Sequence, residues 1–458
     1  MQIGVFCCRC HGELEEFLDF NFLIEKIKLA RGVAWVEIID QACISPAPTE
    51  ISRKIKEKGL NRVVIATCSP YLYSGHLFSL AKENGLHPQL VEVANIREQC
   101  AWVHPVREQA TLKALDLIHM ACARVSAVDT NYRVTQKGTP TALVNKLKCD
   151  RCKRCLEECP QGAYELDPDG FPSPNPKKCQ RCGICVGGCP LQAISLPDFR
   201  LEEVAAMINA IDMAEIPEEE PVILGFFCRH DAYPEADRLG RERIPYPANL
   251  RIIRVPCSGA VNMSLVTDAL SLGIDGVIIA GCRENQCRYK QGNSLVSSRI
   301  ESLKETLARM MIEPERVRYL ALAEVTPFVA SIEENLCNGC LTCKQVCPFQ
   351  AISLCETLSF TSFSFGENQK LISPLVSSKP LPYIDPNLCR GCGICAVACR
   401  AGAIKLKGFS DQSILSQIDG RSFPPETAPS QGKGVLPDFL IQYVQELKTI
   451  GPNPFRLR

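Results

Sequence analysis

Four copies of one cysteine spacing constrain this chain more than any other feature of its 458 residues. Cys149, Cys152, Cys155 and Cys159 are spaced C-x2-C-x2-C-x3-C ahead of Pro160. Cys179, Cys182, Cys185 and Cys189 repeat it ahead of Pro190, and Cys337, Cys340, Cys343 and Cys347 ahead of Pro348. Cys389, Cys392, Cys395 and Cys399 repeat it ahead of Arg400. Three thiolates two residues apart wrap a tight loop around one face of a cubane iron–sulfur cluster. The fourth is expected at the start of a helix that carries it away. Structural zinc prefers two separated C-x2-C pairs, so three cysteines in one loop make a poor zinc ribbon.

In two-cluster ferredoxins the trailing cysteine ligates the other cluster. The expected 4Fe–4S sets are therefore crossed. Cys149, Cys152, Cys155 and Cys189 form one, and Cys179, Cys182, Cys185 and Cys159 its neighbour. Cys337, Cys340, Cys343 and Cys399 form the third, and Cys389, Cys392, Cys395 and Cys347 the fourth. Crossing holds each pair close, which suits electron hopping.

A chain this long accommodates about three domains. Its 51 basic and 51 acidic residues balance, which gives no pointer to nucleic acid or an anionic membrane. Its 28 cysteines would suggest disulfides in a small secreted protein, but here length and spacing argue for thiolates kept as metal ligands. The opening MQIGVFCC lacks the layout of a signal peptide, and no apolar run is long enough to span a membrane. The expectation is a cytoplasmic protein of anaerobic metabolism, because exposed clusters are oxygen-sensitive.

Residues 1–125 alternate short Val/Ile-rich runs (Ile3–Cys7, Ala34–Ile39, Arg62–Thr67, Gln89–Val93) with helical patterns such as Thr49–Lys58 and Glu108–Arg124. Residues 220–330 do the same, with strands expected at Val222–Phe227, Arg251–Val255, Gly276–Ala280 and Val317–Ala321, and a helix at Ser297–Met311. Such alternation predicts parallel sheets. The expected fold class is thus α/β plus α+β, two parallel-sheet modules alternating with two ferredoxin domains. Cys228, Cys257 and Cys282 each follow a strand of the second module, and Cys287 lies in the loop after Cys282. Loops at the carboxyl ends of parallel strands meet at one sheet edge. Four cysteines distant in sequence would converge there as a metal centre; four buried core cysteines is the competing reading. The first module echoes the second. Cys43 and Cys68 are 25 residues apart, as are Cys257 and Cys282, and VVIATC (Val63–Cys68) parallels VIIAGC (Val277–Cys282). The counterpart of Cys287 is Tyr73, so the set here is Cys8, Cys10, Cys43 and Cys68, with Cys7 and Cys100 in reserve. A cluster-free docking domain is the alternative.

The opening GVFCCRCHGEL and the blocks LNRVVIATCSPYLYSGHLF (Leu60–Phe78) and ANIREQCAWVH (Ala94–His104) resemble the A subunit of heterodisulfide reductase. RIIRVPCSG (Arg251–Gly259) and GVIIAGC resemble the delta subunit of methyl-viologen-reducing hydrogenase. The stretch from Cys149 to about Ala321 is also similar to the B subunit of the quinone-interacting oxidoreductase of sulfate reducers. These resemblances imply an electron-transfer component in a multi-subunit complex. The hydrogenase likeness implies one 2Fe–2S cluster on Cys228, Cys257, Cys282 and Cys287, with His230 as a loop residue. They imply four 4Fe–4S clusters, or five if the N-terminal cysteines hold one. The implied partners are other subunits of such a complex and an electron-donating hydrogenase or dehydrogenase. The alternatives are a self-contained disulfide-reducing enzyme and a redox sensor or cluster scaffold.

The chain departs from the reductase A subunit at one decisive place. No G-x-G-x-x-G fingerprint for a dinucleotide pyrophosphate occurs, so no FAD is expected here, and if the complex bifurcates electrons its flavin sits on another subunit. No Walker A sequence and no Cys-Cys-Gly pair occurs, and no catalytic residue is assigned. The expected domains are residues 1–125, 140–198, 220–330, 331–408 with an insertion near 355–382, and a helical tail at 409–458. Within that tail a helix is expected over 409–419, capped by Ser410, and an apolar stripe from Leu436 to Leu447 at helical spacing.

Overall fold

Val/Ile runs separated by amphipathic helices build two parallel sheets of one design. The computed structural model describes residues 1–44, 46–129, 141–213, 216–217, 219–283, 287–322, 330–333, 335–347, 352–355, 358–365, 369–376, 381–384, 393–406 and 435–456. The first sheet is assembled from β1 (Ile3–Cys8), α1 (Phe20–Leu29), β2 (Val33–Ile39), α2 (Ala47–Glu57), β3 (Arg62–Thr67), α3 (Pro70–Glu83), β4 (Val91–Asn95) and α4 (Arg107–Ala127). Its strand order is β2-β1-β3-β4, all pairs parallel. All six residues of β1 are buried, as befits a central strand covered by helices on both faces. The fourth strand starts at Val91 rather than Gln89, because Pro88 opens a 3-10 turn over Pro88–Leu90 and has no N–H for a ladder.

The first cysteine-motif domain follows. It comprises β5 (Leu143–Val144), α5 (Arg154–Glu157), β6 (Tyr164–Leu166), β7 (Pro172–Pro174), α6 (Ile184–Gly188) and β8 (Ile194–Ser195). β5 pairs with β8 and β6 with β7, both antiparallel. α7 (Leu201–Ile208) leads into the second parallel sheet, made of β9 (Ile223–Cys228), α8 (Ala232–Arg241), β10 (Leu250–Val255), α9 (Met263–Ser271), β11 (Gly276–Cys282), α10 (Gly292–Arg309) and β12 (Val317–Leu322). Its order is β10-β9-β11-β12, the topology of the first sheet. The repeat read from the cysteine strings is therefore also a repeat of topology.

Residues Met1–Ala323 and Lys433–Arg458 form one compact unit, and Glu324–Gly432 a second. The second unit holds β13 (Ala330–Ile332), α11 (Thr342–Val346), β14 (Ile352–Cys355), β15 (Leu358–Phe365), β16 (Gln369–Val376), β17 (Leu381–Ile384), α12 (Ile394–Ala398) and β18 (Ile404–Leu406). β13 pairs with β18 and β14 with β17, and the insertion is an antiparallel β15–β16 hairpin. Its small core gathers Ala330, Cys343, Ile352, Ile384, Cys395 and Ile404. The helix expected over 409–419 lies outside the described residues. In the first unit α13 (Val435–Ile450) buries Leu436, Leu440, Tyr443 and Leu447 against the second parallel sheet, each at most 1% exposed. Such apolar burial stabilises by roughly 1.5–3 kcal/mol per side chain, and the Tyr443 hydroxyl donates to the Arg316 carbonyl at 2.6 Å.

The two parallel-sheet modules meet through buried polar groups. Arg251 and Asp116 pair at 2.7 Å with side chains about 5% exposed. Gly240 of α8 comes so close to the π-type turn Arg97–Ala101 that an added Cβ would lie 2.2 Å from the Glu98 carbonyl oxygen. Asp237 accepts from Asn95 at 3.0 Å, from Gln99 at 3.3 Å and from the Ser69 hydroxyl. Burial nevertheless pushes its carboxyl up from 3.8 to about 7. Between those values the folded chain holds a proton that the unfolded chain has lost, so stability falls as pH rises from about 4 to 7. Asp237→Asn, which keeps acceptors for Asn95 and Gln99, is expected to flatten that slope and raise stability at pH 8 by a few kcal/mol, on the order of 1.4 kcal/mol for each tenfold change in proton affinity. Urea unfolding from pH 4 to 8 checks this; parallel slopes for both proteins would refute it.

Candidate metal centres

The motif loops owe their shape to alternating left-handed residues. In the first loop Arg151 and Lys153 have φ of 62° and 64°, in the second Arg181 and Gly183 have 52° and 80°, and in the third Gly339 and Leu341 have 73° and 59°. A left-handed residue on either side of the second cysteine curls three sulfurs inward. The third cysteine then lies in a one-turn helix (Cys155 in α5, Cys185 in α6). The fourth does not open a helix, as expected from sequence, but closes one: Cys189, Cys347 and Cys399 are the C-caps of α6, α11 and α12. The motif has only three residues between its third and fourth cysteines, one helical turn.

The first domain brings its cysteines together in the crossed sets. Cys155 has Cys189, Cys152 and Cys149 as its thiol neighbours. Cys185 has Cys182, Cys179 and Cys159. Burial pushes the thiols of Cys155 and Cys182 up to about 12 and about 11. The amides of Ala163 and Ala193 donate to the Cys159 and Cys189 sulfurs at 3.4 and 3.3 Å, repeating one contact in both halves. The Tyr164 hydroxyl is buried with no oxygen or nitrogen partner among the described residues and lies against Cys185, with Cys155 and Cys179 nearby. Convergent thiols and a buried donor facing them fit a cluster, whose sulfurs accept hydrogen bonds. In the second unit Cys343 neighbours Cys337 and Cys340, and Cys347 and Cys399 pack against the small core that includes Cys343 and Cys395. Cys389 and Cys392 lie outside the described residues.

In the second parallel-sheet module Cys228 ends β9, Cys282 ends β11, and Cys257 and Cys287 sit in the following loops. The four thiols hydrogen-bond one another: Cys257 and Cys282 each contact both Cys228 and Cys287. Those bonds hold Cys228 and Cys287 well below the ordinary thiol range, Cys287 at about 3, and push Cys257 and Cys282 up. Tyr319 flanks the group, its hydroxyl beside Ser258 and donating to the Cys282 carbonyl at 2.9 Å. Four convergent thiols fit an iron–sulfur cluster, which takes cysteine thiolates as its ligands. Among the described residues no three His, Cys, Asp or Glu side chains surround a single-ion site. His230 is engaged at one ring nitrogen by Tyr289 (3.1 Å) and at the other by Arg288 (3.1 Å).

The N-terminal cysteines gather at the matching edge. Cys8 lies beside Cys10 and Cys43 beside Cys68. Arg97 links the pairs, donating to the Cys10 sulfur at 3.7 Å with Cys68 alongside. Cys10 and His11 have left-handed backbones (φ 52° and 56°), and His11 pairs with Asp40 at 2.8 Å. The reserve cysteines are elsewhere. Cys7 is wholly buried in the core with Cys122 as neighbour, because successive strand residues face opposite sides of the sheet. Cys100 is buried beside Lys113 and Arg251. Sequence reasoning missed Arg97; the signal available was its place just past the carboxyl end of the fourth strand, Val91–Asn95, at the sheet edge where the cysteine loops meet.

The two ferredoxin sets are not equally placed. Cys182 and Ile184 share a buried cluster with Cys257 and Tyr289, and Cys287 packs on it. An added Cβ at Gly187 would lie 2.2 Å from the Gly259 carbonyl oxygen, so α6 lies directly on the loop after Cys257. Asn262 donates to the carbonyls of Val186 (3.1 Å) and Cys189 (2.9 Å), and Arg299 to that of Gly259 (2.8 Å). The adjacent glycines 187 and 188 were the available sequence signal, since glycine in a helix marks a close approach.

Comparison with known proteins agrees with this layout. Residues 223–335 match the methyl-viologen-reducing hydrogenase delta subunit family, 148–196 the 4Fe-4S dicluster domain, and 330–353 and 382–405 the 4Fe-4S binding domain. The iron-sulfur A subunit of CoB--CoM heterodisulfide reductase from Methanocaldococcus jannaschii is 26% identical over 98% of this chain and 54% of its own length. The A subunit of ferredoxin:CoB-CoM heterodisulfide reductase from Methanosarcina mazei is 38% identical over 42% of this chain and 25% of its own length. The iron-sulfur D subunit of F(420)-non-reducing hydrogenase from Archaeoglobus profundus is 40% identical over 26% of this chain and 92% of its own length. The chain thus spans about half, or less, of the reductase A subunits it matches. Among the described residues no helix is long and apolar enough to cross a membrane. The chain belongs to the iron–sulfur proteins that resemble the heterodisulfide reductase A subunit, and it combines a hydrogenase delta-type module with ferredoxin-type 4Fe–4S domains.

Proposed function

We propose that this chain is a multi-cluster electron-transfer component of a heterodisulfide-reductase-like complex, relaying electrons between a donor enzyme and a flavin- or thiol-active partner. The observation that carries the reading is the shared buried cluster of Cys182, Ile184 and Cys257: a ferredoxin set and the hydrogenase-like set pack directly on each other. When bound, iron–sulfur clusters supply one-electron carriers whose potential depends on cluster type, exposure and hydrogen bonds to sulfur. The chain's own residues hold them, bury the inner sets and aim amide donors at their ligands. Its partners are a hydrogenase or dehydrogenase and other subunits of the complex, and where that complex bifurcates electrons the flavin sits on one of those. The sets are four 4Fe–4S and one 2Fe–2S, with Cys8, Cys10, Cys43 and Cys68 for a further cubane. The location is cytoplasmic.

Anaerobic iron and sulfide analysis with EPR tests this. About 18 irons per chain are expected from the five cysteine-motif and module sets, and about 22 with the N-terminal set filled. A value near 8, or turnover of a disulfide by the dithionite-reduced chain alone, would overturn the relay reading.

A further inference from the structure

We infer that Tyr164 sets the reduction potential of the inner 4Fe–4S set, Cys159, Cys179, Cys182 and Cys185, its hydroxyl raising that potential toward the level of the outer set so that an electron passes readily between the two. This rests on the relay reading above and names the residue that governs the step inside the first ferredoxin domain. Tyr164 opens β6 and is 8% exposed. It lines one cavity together with all four thiols of the inner set and with no cysteine of the outer one. Gln161, Gln180 and Arg181 also line it, but the first is half-buried and the other two are exposed. Tyr164 is therefore the buried hydroxyl of this cavity. That hydroxyl has no oxygen or nitrogen partner among the described residues, and it lies against Cys185, whose sulfur can accept from it. A buried hydroxyl without an acceptor destabilises a fold, and here the sulfurs are the acceptors within reach.

The chain contains three controls. The residue five places after the last cysteine of each motif is Tyr164 in the first, Ile194 in the second, Ile352 in the third and Ile404 in the fourth. The three isoleucines are buried too, at 3%, 4% and 7% exposed, so apolar bulk is enough to fill the position. Backbone donors do not distinguish the two sets of the first domain: Ala163 donates to the Cys159 sulfur at 3.4 Å and Ala193 to the Cys189 sulfur at 3.3 Å. Solvent does distinguish them. Cys152 of the outer set is exposed, whereas Cys182 and Cys185 of the inner set are both buried. The outer loop also carries five basic residues against one acidic between Lys146 and Arg154. A reduced cluster has one more negative charge, which water and cations stabilise and burial penalises. Burial by itself thus leaves the inner set harder to reduce than the outer. A hydroxyl aimed at a ligand sulfur offsets this, because it too favours the more negative state. One electron crosses, no bond is made or broken, and the proton stays on the tyrosine oxygen.

The test is an anaerobic redox titration followed by EPR on the full chain with its clusters. It compares the parent with Tyr164→Phe, which removes the hydroxyl alone, and Tyr164→Ile, which installs the residue of the other three motifs. In both variants one cubane is expected to titrate about 59 mV lower, a tenfold loss in its one-electron reduction equilibrium. The other cubanes and the iron content are expected to match the parent. An unchanged or raised potential at full iron content overturns the assignment and leaves the relay standing. So does a shift shared equally by two cubanes, or loss of iron from the Phe variant, which would make the tyrosine structural. A parent chain without reducible cubanes overturns both.

Discussion

Serine at Cys257 is expected to abolish the signal of the proposed 2Fe–2S cluster in visible and EPR spectra, lower the iron content by about two atoms per chain, and leave the cubane signals in place. Cys257 is the thiol for which the structure gives most reason to expect this. It hydrogen-bonds both Cys228 and Cys287, is 1% exposed, and is the member of the set that belongs to the buried cluster with Cys182 and Ile184, on which Cys287 also packs. Serine keeps the volume but offers a hydroxyl that does not ionise near neutral pH, so a pair of ligands to one iron is broken. Because thiols must lose their protons to bind metal, affinity depends on pH. Hydrogen bonding and burial push Cys257 and Cys282 up. Cluster loading of the parent chain is therefore expected to fall as pH is lowered, and loading followed by absorbance checks both statements. A serine variant that retains the 2Fe–2S spectrum would remove Cys257 from the ligand set.

The second large effect is expected from Gly187→Val. A Cβ there would lie 2.2 Å from the Gly259 carbonyl oxygen and 2.9 Å from the Ala260 carbonyl carbon. Both are backbone atoms of the loop that follows Cys257, so neither yields by a rotamer change. Forcing the helix off this loop costs about 3 kcal/mol, measurable as a lower thermal midpoint. It also separates the Cys182 loop from Cys257. All four motif cysteines of each loop remain, so iron content is expected to be unchanged while electron exchange between the cubanes and the 2Fe–2S centre slows. Unchanged exchange in a destabilised variant would show that the contact is structural and that electrons leave the ferredoxin domain by another face.

Much of this site is legible in the chain because the ligands are bunched. Three cysteines within seven residues can hardly reach anything but one point, so the loop sets follow from spacing. The set Cys228, Cys257, Cys282 and Cys287 is legible for a different reason: each follows a strand, and parallel strands deliver their carboxyl ends to one edge. Strand alternation also separates Cys7 from Cys8, since neighbours in a strand face opposite sides of the sheet. The place of the trailing cysteines as helix C-caps is not legible. It depends on left-handed residues such as Lys153 and Leu341, which composition does not announce.

The chemistry comes from the order of residues alone: which thiols group within each motif, which strands repeat, and that no dinucleotide fingerprint follows the first module. Local spacing and hydrophobic period suffice for that, since both act over a few residues. Which ferredoxin set is inner and which is outer is a matter of tertiary contact. That choice rests on glycines 187 and 259 meeting at backbone distance, on Ile184 entering the buried cluster beside Cys257, and on Arg299 binding the Gly259 carbonyl. These contacts join segments tens of residues apart, and close packing of that kind depends on the shapes of two surfaces together, which neither segment encodes alone.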